Sequence, residues 1–278
     1  MKISFIGAGN MASAIAKGAL KKQFIAAENL YFYDIQVEKT AAFAQEIGAH
    51  AVASPQEAIT VADLVILAVK PQFVQAALLE AKEAILDKQP LIVSIAAGTT
   101  IAELYQLFET TQPLRLVRVM PNMNALIGAG AAAVCGNAFA SPEDIQTVLS
   151  LFRAVGQAWE LEEQYFSIFT AIAGSTPAYA FLFIDSIARA AVKNGMNKEL
   201  ALEIATQAVL DSAQTLANST ENPWTLIDQV SSPGGTTVAG IVELENNAFI
   251  STVIKGIEAT ILRDQELAKI GRASCRER

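Results

Sequence analysis

Two short loops carry the residue types that could do chemistry, and the first lies close to the start of the chain. It reads Gly7-Ala8-Gly9-Asn10-Met11-Ala12 and has the G-x-G-x-x-[GA] pattern. In this pattern the first glycine permits a tight turn, the second lets the backbone approach a pyrophosphate, and the last small residue allows a helix to pack closely on a strand. A purely structural glycine turn has the same pattern, so the neighbouring elements have to decide between the two.

The second loop reads Ser231-Ser232-Pro233-Gly234-Gly235-Thr236-Thr237 and precedes a long helical pattern. Small residues, hydroxyl groups and free backbone N–H groups at a helix N-terminus can form a nest that receives a carboxylate. The alternative is an ordinary loop in which Thr236 or Thr237 caps the helix. The residues by themselves do not distinguish these two interpretations.

The elements around the first loop favour dinucleotide binding. Residues 3–6 are an apolar run, residues 11–22 have a helical pattern, and residues 30–33 are a second apolar run that ends at Asp34. A strand, a glycine turn, a helix and a second strand form a right-handed βαβ unit of the expected length of about 30 residues. This order of elements is typical of domains that bind NAD(P).

Asp34 is predicted to accept hydrogen bonds from the adenosine ribose, which would favour NADH. The alternative is an aspartate that only shapes the turn at the strand end. Lys17 or Lys39 could offset its charge for a 2′-phosphate, but no arginine lies nearby in the sequence. The sequence therefore predicts a nicotinamide cofactor and leaves open whether it is NADPH or NADH.

Strand and helix patterns continue to alternate after this unit. Apolar strands are predicted over residues 64–69 and 91–95, and helices over residues 41–47, 74–86 and 101–108. Near-continuous apolar strands belong in a parallel sheet that helices cover on both faces. The sequence therefore predicts an α/β fold whose N-terminal domain, residues 1–161, is a Rossmann-type NAD(P)-binding domain.

From about Glu162 the alternation stops and helical patterns follow one another. Helices are predicted over residues 166–173, 178–193, 198–216 and 238–268. Residues 179–192 are apolar over more than one helical face, which favours burial by a second subunit. We therefore predict an all-α dimerisation and substrate domain over residues 162–270. Residues 271–278 break from the helical pattern and are interpreted as a vector-derived tail outside the fold.

Composition excludes several classes of protein. The net charge of -8 and the pI near 4.8 argue against nucleic-acid binding, because a phosphate backbone requires clustered Lys and Arg. Two cysteines are too few for a disulfide framework or a cysteine zinc site, and we predict no metal site. The apolar strands are far shorter than the roughly 20 residues of a membrane span, and the N-terminus lacks a signal-peptide pattern. We expect no membrane association and a cytoplasmic location.

His50 is the only histidine in the chain, and it lies in the nucleotide-binding half, where we expect it at the surface. The helical half therefore has no histidine to act as the general base of a histidine-dependent hydroxyacid dehydrogenase. Cys135 is expected to be an inert core residue.

Six motifs are spread in order over nearly all of residues 1–270. They are Gly7-Ala8-Gly9-Asn10-Met11, Ala68-Val69-Lys70-Pro71, Ser94-Ile95-Ala96-Ala97-Gly98, Arg118-Val119-Met120-Pro121-Asn122, Gly174-Ser175-Thr176-Pro177-Ala178-Tyr179 and residues 231–237. Together they closely resemble the pyrroline-5-carboxylate reductase family, and the serine-proline-glycine-glycine-threonine loop is the most specific of them. The resemblance implies NAD(P)H-dependent reduction of Δ1-pyrroline-5-carboxylate to L-proline, the last step of proline synthesis.

The resemblance also implies roles for the residues of the second loop. Thr237 would be catalytic, by hydrogen bonding to the ring nitrogen of the substrate. The backbone of Gly234, Gly235 and Thr236 would hold the substrate carboxylate. Ser231 and Ser232 belong to the same substrate-binding loop.

Further contacts are implied outside the two loops. Glu163 falls where the family has a substrate-contacting glutamate, with a solvated turn carboxylate beside Glu162 as the alternative. Lys70 lies at the end of a predicted strand, which favours a cofactor contact over a surface position before Pro71. Beyond the glycine loop itself, cofactor contacts are implied for Asp34, Ala68, Val69, Lys70, Pro71, Ala96 and Ala97.

Two residues depart from the family pattern. Thr176 replaces the smaller residue frequent in the Gly-Ser-x-Pro motif, which puts the shape of the substrate pocket in question. Pro55 stands where many members carry an asparagine near the adenosine, which weakens an inferred ribose contact there.

Two other functions compete with this interpretation. The first is a β-hydroxyacid dehydrogenase in which Lys193 is the acid-base group, although the glycine-rich run expected before that lysine is missing. The second is a non-enzymatic dinucleotide sensor, which leaves the second loop without a task. The resemblance further implies a homodimer, formed through the helical domain, that can join into a decamer of five dimers.

Overall fold

The computed structural model describes the backbone of residues 1–276 and the side chains of residues 1–267. In that range eight strands form one sheet in the order β3-β2-β1-β4-β5-β6-β7-β8. They are β1 Ile3–Ile6, β2 Leu30–Tyr33, β3 His50–Ala51, β4 Leu64–Leu67, β5 Leu91–Ser94, β6 Leu116–Pro121, β7 Gly130–Gly136 and β8 Gly156–Glu160.

Helices connect these strands and follow them. They are α1 Asn10–Lys21, α2 Val37–Ile47, α3 Pro55–Val61, α4 Pro71–Glu80, α5 Lys82–Lys88, α6 Ile101–Gln106, α7 Pro142–Arg153, α8 Phe166–Phe169, α9 Thr176–Lys193, α10 Lys198–Ala217, α11 Pro223–Val230, α12 Thr236–Asn246 and α13 Phe249–Arg276. Short 3-10 turns cover Ala27–Asn29, Met123–Ile127 and Glu163–Tyr165, and a π-helical turn covers Thr170–Gly174.

The sheet is built as its apolar strands predict. β1, β4 and β5 are buried along their whole length, because helices cover both faces of the sheet. Alternate residues of one strand enter different cores, so that Phe5 packs on one face and Ile6 on the other. The Rossmann-type fold is confirmed by this arrangement.

The order of the strands places a crevice next to β1. β1 pairs in parallel with β2 on one side and with β4 on the other, so the chain changes direction across the sheet at this point. Ligands of open α/β sheets bind outside the carboxyl ends of the strands at such a switch point. The glycine loop follows β1 and therefore lies at the crevice.

The last two strands correct the prediction of a purely parallel sheet. β7 runs antiparallel to β6, and β8 runs parallel to β7. The sequence patterns did not predict β7, because residues 130–136 consist mainly of alanine and glycine, which have low strand propensity.

Several helix predictions also need correction. The helix expected over residues 74–86 is divided at Ala81 into α4 and α5, and the one expected over residues 238–268 is divided before Phe249, where Ala248 has a φ of 58°. α11 was not predicted at all. The predicted end of the helical pattern at residue 271 is wrong for the backbone, since α13 continues to Arg276, and the last two residues of the expected tail lie outside the described range.

The chain forms two compact units. The first comprises residues 1–174 together with 261–278, and the second comprises Ser175–Thr260. The first unit contains the whole sheet, and the second is entirely helical. This division falls later than residue 162, and the functional boundary predicted between residues 161 and 162 stays a prediction.

The helical unit has very little core of its own. Its cluster of buried apolar residues consists of Ala188, Ala201 and Ala205, while Phe181 and Leu182 are 57% and 67% exposed. Three alanines remove little apolar surface from water, so a unit of this kind requires a partner that covers its exposed apolar side chains.

One continuous helical stretch also bears on the expectation of no membrane association. Glu163–Lys193 has a mean hydropathy of 1.5 over its most apolar window, of which 17% is buried, and it is long enough to cross a bilayer. The expectation of no membrane association depended on the shorter apolar strands and did not take this helical stretch into account. Length and composition alone fit either a bilayer or a second protein surface.

Candidate active site

Gly7 is the tightest point of the first loop. Its φ is +102°, and its N–H donates to the carbonyl oxygen of Tyr33 at 2.7 Å. A Cβ added here would lie 2.6 Å from the carbonyl oxygen of Ala68, at the end of β4. Only glycine combines this positive φ with so close a neighbouring backbone.

Gly9 has a different task from Gly7. It is the N-cap of α1 with a φ of -74°, and an added Cβ would meet no atom within 4 Å. No side chain caps α1 within the described residues, so the N–H groups of its first turn point outward at the positive end of the helix dipole. Ala12 is fully buried against the sheet. This open cradle fits the diphosphate of a dinucleotide.

Asp34 fixes the geometry of the glycine loop. One carboxylate oxygen accepts from the Ala8 N–H at 2.8 Å, and the other accepts from the Gln36 N–H at 3.0 Å. The carboxylate thus shapes the turn, and lone pairs of both oxygens are still available for a ribose. Lys17 is ion-paired with Glu46 at 2.7 Å, so it is not a free cation for a 2′-phosphate.

The ends of β4 and β5 bring the other predicted cofactor contacts to the same edge of the sheet. Leu67 and Ser94 are register partners, so the residues that follow them lie side by side. Lys70 is the exposed N-cap of α4, and Pro71 takes the first helical position, where its missing N–H is not needed. The remaining members of this group are Ala68 and Val69, both half-buried, Ala96, which is buried, and Ala97, which is exposed.

Glu163 is an ion-paired residue, which corrects the alternative of a solvated turn carboxylate. Its Oε1 accepts from the Arg118 guanidinium and from the Ile101 N–H, both at 2.9 Å. The side chain of Glu163 is 32% exposed and that of Arg118 only 8%.

Sequence reasoning gave Arg118 no role of its own. The signal was present, since Arg118 is a charged residue inside the apolar strand β6. Asn122, at the end of the same motif, was missed as well. Its amide donates to the carbonyl oxygen of Ala173 and its side-chain oxygen accepts from the Ala131 N–H, both at 3.0 Å.

The second loop is a tight turn followed directly by a helix. The Gly235 N–H donates to the Ser232 carbonyl at 2.9 Å, and Gly234 has a φ of +68°. Pro233 and Gly234 therefore occupy the central positions of a type II turn, which requires a positive φ at the second of them. The Ser231 hydroxyl donates to the Ile227 carbonyl at 2.7 Å and anchors the start of the loop to α11.

The two threonines do not cap α12, which overturns the capping alternative. Gly235 is the N-cap and makes no side-chain hydrogen bond, while Thr236 and Thr237 are the first two residues of the helix. Both threonines are exposed. In the described part of the chain, the start of α12 thus offers N–H groups without a side-chain acceptor and two hydroxyls beside them.

Other residues singled out by the sequence have local roles. His50 is exposed and its Nε2 lies 3.1 Å from the Glu28 carbonyl oxygen, as expected of a surface residue. Pro55 is buried at the first position of α3, and the Ser54 hydroxyl accepts from Glu57 at that helix start. Thr176 is the first residue of α9.

Cys135 is buried, in agreement with its prediction as an inert core residue. Burial, reinforced by the negative charge of Glu163, raises the pKa of its thiol to about 12, and Arg118 opposes the shift. The thiol is therefore fully protonated at neutral pH and is a poor nucleophile.

An open groove of about 810 Å³ lies on the sheet unit beside the contact between Glu163 and Ile101, both of which line it. Tyr105 of α6, Phe139 of the loop after β7 and Glu160 at the end of β8 line it as well. Neither the glycine loop nor the second loop contributes to it.

Comparison with known proteins assigns the chain to one family. A family model described as pyrroline-5-carboxylate reductase dimerisation matches residues 163–267, and one described as NADP oxidoreductase coenzyme F420-dependent matches residues 2–98. The chain is 37% identical over 268 residues to the pyrroline-5-carboxylate reductase of Escherichia coli (strain K12), which covers 96% of this chain and 98% of that protein. The chain belongs to the pyrroline-5-carboxylate reductase family.

Solved structures of pyrroline-5-carboxylate reductases have the same fold. The enzyme of Streptococcus pyogenes is 41% identical with a TM-score of 0.83. The enzyme of Plasmodium falciparum, determined with NADP bound, is 32% identical with a TM-score of 0.84. Each alignment covers 96% of this chain and 98% of the other.

Membership of the pyrroline-5-carboxylate reductase family explains the exposed apolar helices. The dimerisation model covers residues 163–267, which include the whole of α9 and its exposed Phe181 and Leu182. The exposed apolar side chains of α9 therefore lie within the region that the dimerisation model describes, and the protein is a homo-oligomer. The family also makes the chain an oxidoreductase with an NAD(P) cofactor, which removes the non-enzymatic sensor as an explanation.

Proposed function

We propose that this chain reduces Δ1-pyrroline-5-carboxylate to L-proline with NAD(P)H, as the last step of proline synthesis. The start of α12 is the observation that carries the choice of substrate. A type II turn delivers Gly235, Thr236 and Thr237 to an uncapped helix N-terminus with two exposed hydroxyls. This arrangement suits a ligand that combines a carboxylate with a neighbouring polar nitrogen.

The parts of the cofactor are assigned to residues that follow the carboxyl ends of the parallel strands. The diphosphate lies on the turn formed by Gly7, Ala8, Gly9, Asn10 and Met11, and Asp34 faces the adenosine ribose. Ala68, Val69, Lys70, Pro71, Ala96 and Ala97 border the nicotinamide half. When bound, the reduced nicotinamide supplies the hydride that is added to the imine carbon.

The second loop holds the substrate in this proposal. The backbone of Gly234, Gly235 and Thr236 holds the carboxylate, with the Gly235 N–H closing the turn on the Ser232 carbonyl, and the dipole of α12 favours the negative charge of the carboxylate. Thr237 hydrogen-bonds to the ring nitrogen. Protonation of that nitrogen makes the imine carbon electrophilic. Addition of the hydride to that carbon moves the π electrons of the C=N bond onto the nitrogen, and the products are the secondary amine of proline and the oxidised cofactor NAD(P)+.

The chain needs no strong acid for this reaction, because the imine nitrogen can take its proton before the hydride arrives. That agrees with the position of His50, which is exposed on the edge strand β3. The contribution of the protein is orientation and electrostatic preorganisation, which together lower such barriers by several kcal/mol.

The working state proposed is a cytoplasmic homodimer that joins into a decamer. The helical domain over residues 162–270 forms the dimer, and the domain over residues 1–161 binds the cofactor. Sedimentation of the purified protein distinguishes a dimer from a decamer.

Steady-state kinetics test the proposed function directly. NAD(P)H absorbance should fall when pyrroline-5-carboxylate is added and stay constant with buffer alone. In a separate reaction that contains NAD(P)+ and 3-hydroxyisobutyrate, no NAD(P)H should form. The assay is run with NADPH and with NADH, so that the same experiment determines the preferred cofactor. Formation of NAD(P)H from NAD(P)+ and 3-hydroxyisobutyrate, or no turnover of pyrroline-5-carboxylate with either cofactor, would overturn the proposal.

A further inference from the structure

Arg118 is a buried cation held by one carboxylate. Its guanidinium carbon lies 4.6 Å from the centre of the Phe166 ring, and its Nη1 is 2.9 Å from Oε1 of Glu163. Among the described side chains, the carboxylate that forms an ion pair with Arg118 is that of Glu163. Removing one member of such a pair leaves an uncompensated charge, so the two side chains are confined to one geometry.

The same oxygen of Glu163 also fixes the start of α6. It accepts from the N–H of Ile101, the first residue of that helix, at 2.9 Å. Thr100 and Glu103 form a capping box, in which the Glu103 carboxylate accepts from the Thr100 N–H at 2.7 Å and the Thr100 hydroxyl accepts from the Glu103 N–H at 3.2 Å. The start of this six-residue helix is thus anchored at the N–H groups of Ile101 and Glu103 and at that of its N-cap, Thr100.

This anchored helix start is the exit of the loop over residues 95–100. The entry of the loop is fixed by the sheet, since the Ile95 N–H donates to the Leu67 carbonyl at 3.2 Å. The Ala96 N–H lies 3.4 Å from the Ser94 hydroxyl oxygen. Between these ends Ala97 is exposed and Gly98 has a φ of +74°. The conformation of the loop therefore depends on both of its anchors.

We infer that Arg118 and Glu163 are positioning residues that hold the loop over residues 95–100 against the nicotinamide half of the cofactor. Glu163 acts through the Ile101 N–H, and Arg118 acts by fixing the carboxylate of Glu163. This role rests on the proposed function, because that function places the nicotinamide beside Ala96. It replaces the substrate contact that the family resemblance implied for Glu163.

Two double variants separate the anchor from the buried charge. Arg118→Met with Glu163→Gln removes both charges and keeps a side-chain oxygen for the Ile101 N–H. Arg118→Met with Glu163→Leu removes both charges and that oxygen as well. The pair is matched in charge, so neither variant leaves an unpaired buried ion. Glu162→Gln is the surface control, since its carboxylate accepts from the neighbouring Gln164.

Two readouts need no turnover. The Kd for NADPH is measured by the fluorescence of the bound cofactor, and hydrogen–deuterium exchange is followed in the peptide that contains Ile101. The leucine double variant should bind NADPH about tenfold more weakly than the glutamine double variant and exchange faster at Ile101, because its N–H has lost a buried acceptor. Glu162→Gln should match the wild type in both.

Kinetics then distinguish positioning from substrate contact. In the leucine double variant the KM for NADPH should rise, while the KM for pyrroline-5-carboxylate changes less than about twofold. Equal NADPH affinity and equal exchange in the two double variants would overturn the inference. A rise confined to the KM for pyrroline-5-carboxylate would also overturn it and return Glu163 to the substrate site. If the wild type binds NADPH but does not turn over pyrroline-5-carboxylate, the proposed function fails while the positioning role is still tested.

Discussion

The carboxylate of Asp34 and the N–H of Ala8 are joined by a hydrogen bond of 2.8 Å, which ties the end of β2 to the turn that follows β1. The residue expected to select the cofactor is therefore also part of the turn that holds it. Its second oxygen accepts from Gln36 at 3.0 Å. A substitution at Asp34 has to be chosen so that the effect on selectivity is separated from the effect on the turn.

Asp34→Asn keeps the hydrogen bond from Ala8 and gives up only the one from Gln36. The amide oxygen can still accept from the Ala8 N–H, while the negative charge near the ribose is lost. We expect the preference for NADPH over NADH to rise about tenfold, because two like charges about 4 Å apart repel by roughly 1 kcal/mol in water and more near a protein surface. The ratio of kcat/KM for the two cofactors measures it.

Asp63→Asn is the matched control for this change. Asp63 also accepts a backbone hydrogen bond, from the Lys2 N–H at 2.9 Å, but it precedes β4 at the opposite edge of the sheet. Asp63→Asn should leave the ratio of kcat/KM for NADPH and NADH unchanged. A ratio that moves less than twofold in Asp34→Asn would mean that Asp34 does not face the 2′ position.

Gly7 and Gly9 should respond to alanine in opposite ways. Gly7→Ala places a Cβ 2.6 Å from the Ala68 carbonyl at a positive φ, so we expect a loss of folding stability of about 3 kcal/mol. Gly9→Ala meets no neighbour and should change stability by less than about 0.5 kcal/mol. The added methyl of Gly9→Ala would stand where the diphosphate approaches, and NADPH affinity should fall at least about tenfold.

Urea unfolding and NADPH titration of both variants check this contrast. A Gly9→Ala variant that binds NADPH like the wild type would show that the diphosphate does not approach the backbone at Gly9. Unchanged stability in Gly7→Ala would show that the turn can relax away from β4.

The first loop and the strands β1, β2, β4 and β5 could be predicted because their signals are local, whereas β3, β6, β7 and β8 were not predicted. The strand at residues 30–33 and the glycine turn depend on apolar runs and on backbone freedom, which neighbouring residues report. β7 could not be predicted in this way, since its alanines become a strand only through pairing with β6 and β8. Tertiary pairing decides such segments.

The candidate site was predictable in part for the same reason. The turn at Pro233 and Gly234 follows from local sequence, and so does the start of α12. The pairing of Arg118 with Glu163 joins residues 45 positions apart and also reaches Ile101. No local pattern predicts such a contact, and the family resemblance pointed to a different role for Glu163.

Thr237 should affect turnover without affecting folding. Its hydroxyl is exposed at the second position of α12, where it does not cap the helix. We expect Thr237→Ala to lower kcat/KM for pyrroline-5-carboxylate by roughly ten- to a hundredfold, the effect of losing one hydrogen bond to the reacting group, with an unchanged Tm. Unchanged kinetics would remove Thr237 from the mechanism.

Lys193→Met is the companion variant for the β-hydroxyacid dehydrogenase interpretation. Lys193 is exposed at the end of α9, and the proposed function gives it no role. Its kcat/KM should equal that of the wild type. A large loss in Lys193→Met together with an active Thr237→Ala would support the competing enzyme.

Cys135 should make the protein less stable in alkali. Burial raises its pKa to about 12 from an ordinary value of 9.0, so the folded state resists ionisation that the unfolded state allows. The stability that comes from keeping this thiol protonated is complete below pH 9. It is lost as the pH rises from 9 towards 12, and the free energy of unfolding then falls by up to about 1.4 kcal/mol per pH unit. Urea unfolding between pH 7 and 10.5 should show this loss relative to Cys135→Ala.

Both proteins in that comparison carry Cys275→Ser, so that a single thiol is measured. The difference between their free energies of unfolding cancels the contributions of the lysines and tyrosines that ionise in the same pH range. At pH 8 the Cys135 thiol should react with a disulfide reagent only after unfolding. A parallel pH dependence in the two proteins would contradict the raised pKa.

Leu182 should hold the oligomer together. It is 67% exposed on α9, in a helical unit whose own core consists of three alanines. A charge placed there is buried without a partner when two copies associate, so Leu182→Glu should dissociate the assembly to monomers in sedimentation velocity. Gln45→Glu, an exposed position of α2 on the sheet unit, adds the same charge and should sediment like the wild type.

The same measurement decides what covers the apolar stretch Glu163–Lys193. If a second copy covers it, the wild type sediments as a defined oligomer without detergent and does not float with neutral lipid vesicles. Flotation of the wild type that is abolished by Leu182→Glu would identify a lipid surface instead. The dimerisation model over residues 163–267 favours the second copy, because it includes every residue of α9.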